Sequence, residues 1–211
     1  VIVGEKAGAF GAREVCEEEL MGLGGAVLRR MFGHPSGLLG LFGGRLMART
    51  NRGCAAWVAE CLALAPQKRV LEIGFGPGEG IAAVLAAAPT AEIAGVDPSP
   101  VMLAMARRRN HAAVAAGRVS LVEGSAERLP FDDTSFEAAF AINSFQLWQD
   151  APAGLREIRR VLRTGGRIAL GFTPHSLQQR EGLVESLTAA GFEDARLIDR
   201  DQNFGMLAIR P

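Results

Sequence analysis

From Lys68 onward, short apolar runs alternate with segments whose apolar residues recur at helical spacing. RVLEI (69–73) is a continuous apolar run, as a strand buried on both faces requires. EGIAAVLAAA (79–88) predicts a helix stopped by Pro89, and AEIAGVD (91–97) a second strand. SPVMLAMARRRNHAA (99–113) predicts a helix with Ser99 as N-cap and Pro100 in its first turn. RVSLVEG (118–124) reads as a third strand, PFDDTSF (130–136) as a loop and FEAAFAINS (136–144) as a fourth strand. In APAGLREIRRVLR (151–163), Leu155, Ile158, Val161 and Leu162 share one helical face, and Thr164, Gly165 and Gly166 are expected to end the helix. RIALGF (167–172) is a fifth strand, and LQQREGLVESLTAAG (177–191) a helix closed by Gly191. ARLID (195–199) and FGMLAIR (204–210) follow as two strands joined by the polar turn RDQN, too close for a crossover helix.

This order predicts an α/β fold. A Rossmann-like, doubly wound, mostly parallel seven-stranded sheet would carry helices on both faces and a C-terminal antiparallel hairpin at one edge. Upstream the pattern weakens. Residues 1–19 have no clear period and read as a loosely held arm. Residues 20–49 are rich in Leu, Met and Phe, with eight glycines between Gly22 and Gly44, which predicts short, broken helices. RGCAAWVAECLALA then reads as a better helix, starting near Asn51 and stopped by Pro66. The expected organisation is one domain over 1–211, with 1–19 as arm, 20–66 as a helical lid segment and 67–211 as the α/β core.

Charge and composition narrow the function. The 23 basic and 23 acidic residues balance, so the chain lacks the basic excess that nucleic-acid binding usually needs. Three cysteines (Cys16, Cys54, Cys61) form no CxxC pair, which argues against a disulfide framework or a zinc site. No apolar run reaches the roughly 18 residues of a membrane span. The acidic Glu17–Glu19 argues against a signal peptide, so the cytoplasm is the expected compartment. The apolar 20–56 stretch with interspersed arginines also suits contact with a membrane surface.

The chemistry concentrates in VLEIGFGPGEG (70–80). Glycines at the carboxyl end of a buried strand let the backbone turn sharply and let a ligand come close, and the next helix offers free N–H groups. A dinucleotide fingerprint needs GxGxxG, but from Gly74 the third glycine position is Glu79, and from Gly76 it is Ile81. No Gly-Lys-Ser/Thr follows, so a P-loop is excluded as well. The loop reads ExGxGxG, from Glu72 through Gly74 and Gly76 to Gly78.

On these residues the chain resembles the class I S-adenosylmethionine-dependent methyltransferases, in their small-molecule, type 11-like branch. Glu72 with Gly74, Gly76 and Gly78 is similar to that family's first motif, and Asp97 in AGVDPSP to the acidic end of its second strand. Residues 124–150 resemble its adenine loop and fourth strand, and 155–172 its fourth helix and fifth strand. The resemblance implies S-adenosyl-L-methionine as cofactor, S-adenosyl-L-homocysteine as product and a small-molecule methyl acceptor. It implies that the glycine loop passes the methionine portion and that Glu72 holds the amino group, directly or through water. It further implies that Asp97 accepts both ribose hydroxyls, that Pro98 and Met102 pack on the adenine, and that the Ala126 backbone meets the adenine edge. Asn143 would place its carbonyl near the amino group.

Two positions depart from the family's pattern. Ser125 stands where relatives often carry Asp, with Glu127 two residues on as a substitute. Gln146 and Leu147 stand where many carry a histidine pair before the tryptophan. His175, after the fifth strand, and His34, in the glycine-rich segment, are the candidate substrate or base residues; His111 is expected on a solvated face. The Leu, Met and Phe of the lid segment suit an apolar or aromatic acceptor. Three other readings stay open: a protein or RNA methyltransferase, an aminopropyl transferase, and a protein of this fold that binds cofactor without transfer.

Overall fold

The apolar runs at 70–73, 93–97, 138–142 and 168–172 are buried on both faces, and they satisfy their backbone groups by lying side by side. The computed structural model describes residues 51–64, 66 and 68–211. The arm, most of the lid segment, His34 and Cys16 lie outside the described residues. A first helix, α1, covers 51–62. It is followed by β1 (Arg69–Ile73), α2 (Glu79–Ala87), β2 (Glu92–Asp97), α3 (Pro100–Arg109), α4 (His111–Ala115), β3 (Val119–Glu123) and β4 (Phe136–Ile142). Then come α5 (Ala151–Val161), β5 (Leu162–Phe172), α6 (Leu183–Ala189), β6 (Glu193–Arg200) and β7 (Asn203–Ile209).

Among the described residues the strands form a seven-stranded sheet in the order β3-β2-β1-β4-β5-β7-β6. The pairs from β3 to β5 are parallel, and β7 runs antiparallel to both β5 and β6, as expected of a closing hairpin. The winding runs outward from β1 to β3 and then returns to β4. The sheet therefore switches direction between β1 and β4, where loops diverge and leave a crevice at the carboxyl ends of the strands.

Strand alternation divides the core in two. Leu71 and Ile73 point to the side covered by α5 and α6, packing with Leu155, Ile158 and Leu187. Val70 and Phe140 point to the other side, against Val58 and Leu62 of α1, Ile81 and Val84 of α2, and Met102 of α3. Cys54 is buried in this second layer, where desolvation, aided by Cys61, pushes its thiol up to about 12. Among the described residues, no helix is long and apolar enough to cross a membrane.

Three expected boundaries move. The helix expected over 99–113 breaks at Asn110, whose side-chain amide donates to the Ala106 and Gly78 carbonyls at 3.1 Å each, ending α3 before α4 begins. The helix expected to stop at Thr164–Gly166 ends at Val161. Leu162 already pairs with Phe136, and the glycines sit in an irregular start of β5. The helix expected from Leu177 starts only at Leu183. Leu177 (φ 56°) and Gly182 (φ 77°) both adopt left-handed backbone, which no α-helix can continue through.

Candidate functional site

The loop after β1 is shaped by what it passes. Gly74 has φ 69°, and a Cβ there would lie 2.5 Å from the Cβ of Ser144. Ser144 in turn donates its hydroxyl to the Ile73 carbonyl at 2.7 Å. The β1 and β4 loops are thereby sewn together at the switch point. Gly78 (φ 81°) does something different: a Cβ there would meet Asn110 Nδ2 at 2.7 Å and Ala106 at 2.9 Å. It lets α2 pack on α3 and is not among the residues that line the cleft.

Asp97 ends β2 with its carboxylate turned into the loop. Oδ2 accepts the Gly76 N–H at 2.8 Å and Oδ1 the Ser99 N–H at 2.9 Å. Burial raises its pKa and the two N–H donors work against that rise. Each oxygen keeps a free lone pair, so the group can accept two further donors side by side.

A cleft of about 130 Å³ opens beside Asp97. Pro98, Met102, Ser125 and Ala126 line it together with Gly74 and Gly76 of the glycine loop and Asn143, Leu147 and Trp148 after β4. Glu127 also lines it, with its carboxylate turned to the Gln149 and Asp150 N–H groups at 2.8 and 3.2 Å. Burial works against that charge. Hydrogen bonds from the Ser125 hydroxyl and from backbone N–H groups outweigh it and hold the carboxyl below its usual range. Ser125 thus supports Glu127, and the two act as one unit.

Asn143 sits at φ 50° and binds three segments. Its Nδ2 donates to Asn51 of α1 and to the Thr173 hydroxyl, both at 2.8 Å, and its Oδ1 accepts the Thr173 N–H at 2.8 Å. Its backbone carbonyl accepts from Gln146 Nε2 at 2.9 Å. The side chain is structural, and one lone pair of the carbonyl stays available.

Glu72 does not line the main cleft. Alternation puts it on the Val70 side of β1, facing α1 and α2. It lines a side pocket of about 20 Å³ together with Asn51, Gly74, Gly76, Glu79 and Ile142. Gly74, Gly76 and Ile142 line the main cleft as well, so the two pockets adjoin across the glycine loop. Nine of the eleven expected binding residues therefore share the main cleft, Glu72 stands in the side pocket, and Gly78 is outside.

His175 is exposed in the turn Pro174–Ser176 and lines no part of the cleft, so its expected role as base has no support in its position. Among the described residues that line the cleft, only Asp97 and Glu127 are ionisable. Ser144 and Gln149 are cleft residues that the motif reading did not single out, and Leu147 and Trp148, noted there only for the histidine pair they lack, line the cleft as well. Trp148 had a signal in Gly154: a Cβ there would sit 2.7 Å from the indole, and only a residue without a side chain lets the ring lie on α5.

Residues 71–170 match the family model of a methyltransferase domain. An uncharacterised methyltransferase of Bacillus subtilis (strain 168) is 28% identical over 162 residues, covering 73% of this chain and 87% of that protein. A demethylmenaquinone methyltransferase of Deinococcus radiodurans is 36% identical over 147 residues, covering 69% of this chain but 60% of that one, so the chain spans less than two thirds of that relative. Among solved structures, a (4+2)-cyclase superposes with a TM-score of 0.61 at 29% identity, covering 72% of this chain and 60% of the cyclase.

Proposed function

We propose that this chain, which belongs by its α/β core to the class I S-adenosylmethionine-dependent methyltransferases, binds S-adenosyl-L-methionine in the cleft and moves its methyl group to a small, apolar or aromatic acceptor. The observation that carries the reading is Asp97: a buried carboxylate on the cleft wall, fixed by one backbone N–H on each oxygen, with a lone pair left on each. Two adjacent ribose hydroxyls match that pair of acceptors, and charge-assisted bonds of this kind are the stronger sort. Met102 and Pro98 offer apolar surface for a purine face, and the Ala126 segment a backbone edge. Gly74 and Gly76 leave room for the methionine chain.

When bound, the sulfonium cofactor supplies an activated methyl group for in-line displacement. The chain's contribution is alignment, which contributes roughly 7–11 kcal/mol when the geometry is right. Asp97 and Glu127 both hold backbone N–H groups, so neither is poised to take a proton from an acceptor. This favours an acceptor that arrives nucleophilic, such as an electron-rich ring carbon or an ionised hydroxyl. Leu147 and Trp148 on the cleft wall suit an apolar ring, and the 20–66 segment is its candidate lid. The Deinococcus relative makes a quinone-type ring the first acceptor to try.

Calorimetry with S-adenosylmethionine, S-adenosylhomocysteine and NAD tests the cofactor. Tight NAD binding with no response to the other two overturns the reading. A labelled-methyl assay against quinol-type and phenolic acceptors tests transfer. That no base lines the cleft among the described residues, beside the likeness to a cyclase, supports a second reading: cofactor binding without transfer. Homocysteine-form binding with no labelled product on any acceptor favours that one.

A further inference from the structure

Resting on the cofactor reading above, we infer that Arg109, the last residue of α3, is a positioning residue for the methyl donor: together with Asn110 it clamps the glycine loop from outside the cleft and so sets how tightly the ligand's amino-acid portion is held.

The loop is tied by side chains on two sides. On the cleft side, Asp97 Oδ2 accepts the Gly76 N–H at 2.8 Å. On the other side, the next three residues are held by two consecutive residues at the junction of α3 and α4, neither of which lines the cleft. Arg109 Nε donates to the Pro77 carbonyl at 2.9 Å. Asn110 Nδ2 donates to the Gly78 carbonyl at 3.1 Å. Arg109 Nη1 lies 2.5 Å from Glu79 Oε2, an ion pair rather than an aligned hydrogen bond. One guanidinium thus spans the end of the loop, from Pro77 to the first residue of α2. A planar fork can do this, whereas a lysine ammonium is a single point of charge.

Arg109 differs from the other arginine on Glu79. Arg52 of α1 reaches Glu79 Oε1 through Nε alone, at 2.9 Å, with its side chain 72% exposed. The Arg109 side chain is 31% exposed and touches two groups of the loop. Its helix also reaches the ligand's other half: α3 starts three residues after Asp97 and puts Met102 on the cleft wall. One helix therefore fixes the spacing between the wall offered to the adenosine portion and the glycines left for the amino-acid portion. Without the clamp, Asp97 is the side chain left to hold the loop at Gly76, and the ligand needs the same carboxylate. A loop fixed beforehand costs less to order when the ligand binds.

The experiment is calorimetry of the whole chain with two ligands, beside thermal melts. S-adenosylhomocysteine carries the amino-acid portion, and 5′-methylthioadenosine lacks it. Arg109→Ala should weaken the first on the order of fivefold and the second by less than about twofold. Arg109→Lys keeps the charge beside Glu79 and should melt close to the native chain, yet should still bind S-adenosylhomocysteine about threefold more weakly. Arg52→Ala, which removes one exposed contact, should shift neither affinity by more than about twofold. A general loss of structure would weaken both ligands alike, so equal weakening overturns the proposal, as does no weakening of either. Native affinity in Arg109→Lys overturns it too, because charge alone would then suffice. If Arg109→Ala fails to fold, Arg109→Lys carries the same ligand comparison; if neither folds, Arg109 serves folding and the proposal falls. Failure of the native chain to bind either ligand overturns the cofactor reading itself.

Discussion

Two buried carboxyls flank the glycine loop, Asp97 on the wall of the main cleft and Glu72 in the side pocket, and they are built in opposite ways. On β2, Asp97 has a backbone donor on each oxygen and is locked in place. On β1, Glu72 has a single backbone donor and one oxygen with none. Burial raises both pKa values, but only Asp97 has the donors to stay ionised readily. A group whose charge is supported by a donor on each oxygen offers ligand donors a fixed pair of acceptors. A group that can lose its charge makes stability depend on pH. The contrast comes from position. Asp97 is the last residue of its strand, within reach of the loops, whereas Glu72 is one residue inside its strand and faces a helix.

The largest way to break this contrast is to crowd Glu72. A Cβ at Gly80 would lie 2.1 Å from Glu72 Oε1 and 2.8 Å from the Phe140 ring. Gly80→Ala should cost about 3 kcal/mol, the upper range for overpacking a rigid core. Gly165→Ala serves as the baseline, since its φ is 74° but nothing lies within 4 Å. It should cost about 1 kcal/mol, from left-handed backbone alone. Urea titration measures both, and equal costs would mean that Glu72 is not tightly caged.

At the other carboxyl, Asp97→Ala should weaken S-adenosylhomocysteine binding about tenfold or more, on the order of 1.4 kcal/mol. Asp97→Asn should be little milder, because its NH₂ must face either the Gly76 or the Ser99 N–H, donor against donor. Unchanged affinity in both variants would remove Asp97 from the ribose site.

Stability against pH sharpens the contrast further. Glu72 has a raised folded pKa, so the native state binds its proton more tightly than the unfolded chain does. Stability then falls as pH rises from the ordinary glutamate range towards the folded value. Glu72→Gln should therefore be more stable than the native chain at neutral pH, and the gain should vanish in acid. Thermal melts across that range check it, and a gain that grows towards acid pH would contradict the assignment.

Much of this was legible in the sequence, for reasons that also explain the misses. RVLEI and FEAAFAI had to be strands, because nothing but a two-faced sheet buries such runs, and Asp97 was visible as an acid at the end of one. Gly78 was not separable from Gly74 and Gly76, because a glycine that admits a ligand and one that admits a helix carry the same letter. Glu72 was placed with the cleft residues, although its two-residue offset from Val70 puts it on the helix side. The late start of α6 was hidden because Leu177, Leu183 and Leu187 keep an apolar rhythm across Gly182, and the rhythm does not record a left-handed turn.

The smallest effect tests the clamp at the cleft wall. Glu127 is half-buried, and its carboxylate gathers the Gln149 and Asp150 N–H groups, which hold Trp148 and its neighbours against the cleft. Glu127→Ala should cost about 0.5 kcal/mol at neutral pH, since solvent screens much of the charge. The folded pKa is lowered, so this contribution is complete above the ordinary glutamate range and is lost as pH falls through the folded value. Urea titrations of the native chain and Glu127→Ala should therefore converge in acid, whereas a cost arising from packing alone would not change with pH. If the difference stays constant with pH, the carboxylate is not what holds the wall. If it converges while S-adenosylhomocysteine affinity is unchanged, Glu127 supports the loop and has no contact with the ligand, which leaves Asp97 as the one fixed charge that the described residues offer the cleft.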